Sequence, residues 1–169
     1  MKQLIFLTIL LASLSSCWPT SISFKDTGSM PESWKTFSVG SLENNAANAP
    51  INYPSLLSDE LRDGIQNNTH LKLANKDQGE VRIEGVITNY SINPIALQLG
   101  DNAAKNRLTI NTDFKIIISS PKEEEMTLSC ARFADYNSSS DISAIESNLL
   151  KEINKQIVQD LINKLLSNW

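Results

Sequence analysis

Cys17 is the residue whose setting most plainly specifies a reaction. It closes the tetrapeptide Leu14-Ser15-Ser16-Cys17, behind a positive start at Met1-Lys2 and an apolar run from Leu4 to Leu11. A run of that length is too short to span a bilayer and matches the apolar region of a secretory signal. The small residues before the thiol resemble a bacterial lipobox, in which the thiol is acylated and the chain is cut just before it. On that reading 1–16 is a cleaved signal peptide, Cys17 is the lipidated N-terminus and 17–33 is a lipid-anchored segment. The competing readings are an uncleaved core helix, or a signal cut elsewhere with Cys17 an incidental thiol. Each buried CH₂ of an acyl chain such as palmitate adds about 0.8 kcal/mol, so two or three chains make a durable anchor. This covalent lipid is the one non-protein group expected.

Other reactive constellations are sparse. Cys130, His70 and Asp135 supply the residue types of a nucleophile, a base and an orienting carboxylate. Cys130, however, shares strand parity with Met126 and Leu128, the pattern of a buried and inert thiol. His70 lies beside Asn67, Asn68 and Thr69, a polar stretch that reads as a surface loop. The chain has no Gly-rich phosphate loop, nucleophile elbow, HExxH or CxxC. No metal site is expected, because one histidine cannot build a cluster and Glu123-Glu124-Glu125 lacks the spacing of a calcium loop. Neither catalysis nor a metal is therefore expected. Basic residues cluster near strand ends: Lys105 and Arg107 before the cleanest strand and Lys122 after it, with Arg82 and Arg132 in neighbouring strands. Such groups can hold phosphates while apolar surface meets acyl chains. They can equally be scattered solubilising charge.

Composition narrows the partners. The formal charge of −4 becomes more negative once Lys2 leaves with the leader, so there is no polyelectrolyte case for nucleic acid. With one of two cysteines assigned to lipid, Cys130 has no internal partner, and a disulfide-stapled fold is excluded. No second apolar run approaches the length of a transmembrane helix.

The elements that position these residues follow from periodicity. Trp34 to Val39 alternates as a strand, and Asn44 to Tyr53 is an Asn-, Ala- and Pro-rich loop. Leu57, Leu61 and Ile65 mark an amphipathic helix over 54–67, weakened by Gly64. His70 to Leu73 has the makings of a short strand. Val81, Ile83 and Ile87 begin a strand that continues through Tyr90 and Ile92 until Pro94. Period two is strict from Leu108 to Ile118. Met126, Leu128 and Cys130 open a further strand, and the opposite parity of Phe133 predicts a bulge near Ala131 to Phe133. A long helix covers 141–169, with capping-box spacing at Ser143 and Glu146. Its apolar repeat of four turns around the helix by more than about 90° along its length. Either the helix crosses a twisted sheet, or its second half also touches a partner through Val158, Ile162, Leu166 and Trp169.

Four stretches stand out together: NNAANAPINYPSLLSDELRDGI, GEVRIEGVITNYSINPIALQ, NRLTIN and RFADYNSSSDISAIESNLLKEINKQIVQDLINKLLSNW. Their order and spacing resemble a known family, the LptE-type lipopolysaccharide-assembly lipoproteins of Gram-negative outer membranes. The most specific is Phe133-Ala134-Asp135-Tyr136, read as a turn into a Ser-rich helix start. The resemblance implies an α+β fold over 34–169, with two helices, the C-terminal one long, on one face of a mixed, mainly antiparallel four-stranded sheet. It implies a plug in an LptD-type outer-membrane β-barrel, on the periplasmic face and in the barrel lumen. It further implies help in barrel assembly and contact with lipopolysaccharide, with Lys105, Arg107 and Lys122 as lipopolysaccharide-binding candidates and no catalytic residues. A barrel-independent, periplasm-facing lipoprotein holding a lipid or small ligand is the alternative.

Overall fold

The computed structural model describes residues 30–75, 78–95 and 105–167. Cys17, the leader and Trp169 lie outside the described residues. In chain order the elements are β1 (Thr36–Val39), β2 (Glu43–Asn44), α1 (Tyr53–Asn68), β3 (Lys72–Leu73), β4 (Val81–Ile95), β5 (Lys105–Ile118), β6 (Glu124–Asn137) and α2 (Ile142–Leu166). The strands form one mixed six-stranded sheet of order β3-β1-β4-β5-β6, with β2 also pairing β4. This corrects the expected four strands. The two additional strands are β2 and β3, each of two residues; β3 falls within His70 to Leu73, read as a short strand, whereas β2 is too short to show a period and ends on Asn44, the first residue of the stretch read as a loop. Pairing is parallel among β1, β3 and β4 and between β2 and β4, and antiparallel along β4-β5-β6.

Alternation builds the core. β5 buries Leu108, Ile110, Thr112, Phe114, Ile116 and Ile118, the parity expected from sequence. β6 buries Met126, Cys130, Ala134 and Tyr136, and its register against β5 runs unbroken from Glu124 to Asn137. The expected bulge near Ala131 to Phe133 is therefore absent: Phe133 is in regular strand and points to the outer face. Phe133-Ala134-Asp135-Tyr136 is likewise strand, and the chain turns only after Asn137, whose Oδ1 accepts from the Ser139 amide at 3.0 Å.

The irregularity sits in β4, where the register shifts between Ile87 and Asn89. It lets Ile87 and Tyr90, three apart, both face the core. Before the shift, the Ile83 and Ile87 carbonyls accept from Gly40 and Asn45, so odd residues turn their main chain toward β1 and β2. After it, Asn89, Ser91 and Asn93 pair with the odd residues of β5 and even residues turn away. Pro94, expected to end the strand, pairs with Asn106 inside the ladder. Its missing N–H falls on the free side, where proline is tolerated.

Both helices cover one face of this sheet. α1 has Pro54 in its first turn and buries Tyr53, Leu57, Ser58, Leu61 and Ile65. α2 is capped by Asp141, whose Oδ1 accepts from the Ser143 amide at 3.0 Å. The Ser143–Glu146 box does not form, because the helix begins two residues earlier and Ser143 lies inside its first turn; Glu146 accepts from the Tyr90 hydroxyl. α2 packs against both β6 and α1, which explains its turning apolar stripe. Val158 sits against Gly64, where an added Cβ would overlap its Cγ1. Val158 and Ile162 are buried in the molecule's own core and Leu166 is partly buried against it. Val158 and Ile162 are thus not the outward interface residues expected; a second helix, rather than a partner, takes the extra apolar width.

Candidate functional site

Among the described residues, no helix covers the other face of the sheet. Its side chains come from the odd positions of β5 and β6 and are exposed or half-buried. Near one end of it, Arg107 lies with its guanidinium carbon 3.6 Å from the Phe133 ring centre. The same guanidinium donates to both Asp135 oxygens, from Nε at 2.7 Å and Nη2 at 2.9 Å. The register pairs Arg107 with Asp135 and Thr109 with Phe133, so neighbouring rungs of one ladder assemble the trio. The Arg107 hydrogen bonds hold the Asp135 carboxyl below its ordinary range, and the charge of Lys105 adds to this. Phe133, 43% exposed, is the member that sequence reasoning placed on a bulge. Its off-pattern parity was the available clue, since an aromatic residue facing outward needs a partner there.

The three basic candidates do not form one site. Lys105 and Arg107 share the outer face at the start of β5. Lys122 lies in the turn between β5 and β6, roughly 40 Å away along a strand rising about 3.3 Å per residue. Arg107 is already committed to Asp135. Arg82 pairs with Glu84 at 3.2 Å, and Arg132 pairs with Asp160 of α2. A groove of about 580 Å³ lies on the outer face beside the β1–β2 connection, lined in part by Glu43, Glu84, Asp113, Lys115, Thr127 and Ser129. Its one lysine, Lys115, pairs with Glu125 at 2.9 Å. Three lining carboxylates make this groove unfavourable for a phosphate-bearing ligand.

The nucleophile reading fails on topology. Cys130 is buried on the inner face of β6, at one edge of the sheet, while His70 precedes β3 at the other. Four strand spacings, roughly 19 Å, separate those edges. His70 Nε2 is 2.9 Å from the Trp34 carbonyl oxygen, and Asp135 faces outward with Arg107. Burial, followed by the neighbouring Asp160, pushes the Cys130 thiol up to about 12, so it is not a thiolate near neutral pH. Among the described residues no group of three or more His, Cys, Asp or Glu is placed to hold a metal. No described helix is long and apolar enough to cross a membrane.

The chain matches a family model. The model, LptE, described as lipopolysaccharide-assembly, covers residues 34–165. The chain belongs to the LptE family. That membership places it among lipopolysaccharide-assembly lipoproteins of the Gram-negative envelope, a non-enzymatic family. Among solved structures, a Xanthomonas campestris protein matches with a TM-score of 0.54 at 15% identity, over 79% of this chain and 84% of its own. Uncharacterized lipoprotein B from Nitrosomonas europaea has a TM-score of 0.49 at 15% identity, over 89% and 92%. A minor lipoprotein from Acinetobacter baumannii has a TM-score of 0.45 at 19% identity, over 80% and 94%. At these identities the Xanthomonas likeness speaks for the fold alone. No protein of curated function matches the chain at a significant level.

Proposed function

We propose that this LptE-family chain is an outer-membrane lipoprotein, anchored through lipid on Cys17, that plugs an LptD-type β-barrel translocon. In that role it assists barrel assembly and takes part in passing lipopolysaccharide to the cell surface, without catalysing a reaction. The observation that carries the reading is the outer face, which no described helix covers. On it, the stacked Arg107–Phe133 pair gives a rigid cation–aromatic anchor of the kind that dominates protein docking. The acidic groove argues that lipopolysaccharide, if held directly, is met away from the centre of this face. Lys105, beside the strand tip, is the basic candidate best placed for it.

The test is affinity purification from detergent-solubilised outer membrane. An equimolar complex with a much larger barrel is the expected product. Recovery of the chain alone with bound lipid would instead favour the barrel-independent lipoprotein. A Cys17→Ala variant is expected to fold normally but to yield less barrel complex, because losing the tether lowers local concentration rather than altering a docking surface.

A further inference from the structure

β6 is the outer edge of the sheet, 14 residues long and without a register shift. The parity set by the Ile83 and Ile87 carbonyls carries across β4 and β5. It makes the even residues of β6 bond to β5 and turns the main chain of its odd residues outward. Gln156 of α2 uses one such group, donating from Nε2 to the Phe133 carbonyl at 3.2 Å. Thr127, Ser129 and Ala131 are exposed, and among the described residues their outward N–H and C=O groups have no main-chain partner. Natural edges are usually guarded by charge, proline or a bulge. Here Glu124 and Glu125 stand before this stretch and Arg132 after it, leaving the middle uncharged and flat.

Beside that stretch runs a groove of about 360 Å³, with Leu128 to Ala131 as its floor and Asp160, Asn163 and Lys164 of α2 on its wall. An open strand edge next to a helix wall is the geometry into which an extended segment adds as a further strand. We propose that the β6 edge from Thr127 to Ala131 receives an extended main-chain segment of the barrel partner, paired as an added strand between β6 and α2. This rests on the barrel reading. The occupant must supply alternating donors and acceptors, which an extended polypeptide does and a lipid does not. It must also come without a helix layer of its own. A second copy's β6 carries its own α2, which would compete with the wall helix for the same space. Barrel strands and their connecting segments bring no such layer.

Amide hydrogen exchange on the full chain, free and in its purified barrel complex, tests this. The Thr127, Ser129 and Ala131 amides are expected to exchange freely in the isolated chain and at least about tenfold more slowly in the complex. Ser129→Pro removes only an outward N–H, which an edge strand tolerates, and is expected to cut barrel recovery at an unchanged melting midpoint. Should that variant fold poorly, the exposed Ala131→Lys serves the same purpose. A barrel that co-purifies while these amides stay fast overturns the edge proposal alone. So does protection in the isolated chain that grows with concentration, which would assign the edge to a second copy. Absence of any co-purifying barrel overturns the barrel reading, and the edge proposal with it.

Discussion

Arg107 stacks over Phe133 and at the same time grips both oxygens of Asp135, so one guanidinium locks an exposed aromatic ring in place. The pair is half-exposed, and its contribution to stability is correspondingly screened. Its sign with pH is nevertheless definite. Asp135 is held below its ordinary range when folded, so its stabilising effect is full above the unfolded carboxylate value of about 3.9. It is lost as pH falls through the lower, folded value. Urea midpoints of the wild type and Asp135→Asn are therefore expected to differ slightly at neutral pH and to converge in acid. Convergence in alkali instead would contradict the assignment.

Gly64 and Val158 meet where the two helices pack. Alanine ordinarily favours a helix over glycine by about 1 kcal/mol. Here a Cβ overlaps Val158, and overpacking of this kind costs about 1–3 kcal/mol. Gly64→Ala is thus expected to destabilise despite the better propensity. Adding Val158→Ala should recover part of the loss, with a coupling of about 1–2 kcal/mol in a double-mutant cycle. Additive effects would place the strain elsewhere.

The long strands and both helices are readable in the residues, because a buried face leaves a period. Leu108 to Ile118 shows this without exception. The bulge in β4 was also visible, as the change from odd Val81, Ile83 and Ile87 to even Tyr90 and Ile92, but Phe133 drew attention to the wrong strand. Its outward position depends on Arg107 across the ladder, a contact between strands that no single-strand pattern contains. β2 was hidden for another reason: two residues carry no period, and its parallel pairing is set by β4 beside it. β3 was read as a short strand within His70 to Leu73, but its place beside β1 was not in the pattern. Val158 and Ile162 were misplaced because the wheel of α2 reveals how wide its apolar face is, not which neighbour fills it. Of the surface trio, Arg107 was named from charge alone, whereas its partners emerged only with the register.

Tyr53 donates to Asn154 Oδ1 at 2.8 Å inside the core, and Asn154 Nδ2 has no partner among the described residues. Burial raises the Tyr53 pKa, keeping the phenol protonated as the donor. Tyr53→Phe removes the remaining hydrogen bond of a fully buried amide, a loss of about 1–3 kcal/mol. Combining it with Asn154→Leu, which removes the stranded polar group, is expected to be milder than Tyr53→Phe alone. Chemical denaturation of the three variants decides this; a double variant no better than the single would mean that Asn154 has another partner.

Cys130 offers a check on the β6 edge that does not involve any partner. Its main chain lies in the exposed edge strand, yet its side chain points under α2 and is only 6% exposed. Burial pushes its thiol up to about 12, so both access and thiolate fraction oppose reaction near neutral pH. Iodoacetamide is therefore expected to label Cys130 slowly in the folded Cys17→Ala chain and rapidly in denaturant. The Arg132–Asp160 pair joins α2 to β6 two residues away through both carboxylate oxygens. Asp160→Asn loosens that clamp and removes a nearby negative charge, so it is expected to accelerate labelling while the protein stays folded. Fast labelling of the otherwise unchanged folded chain would show that α2 does not stay closed over the Cys130 side chain.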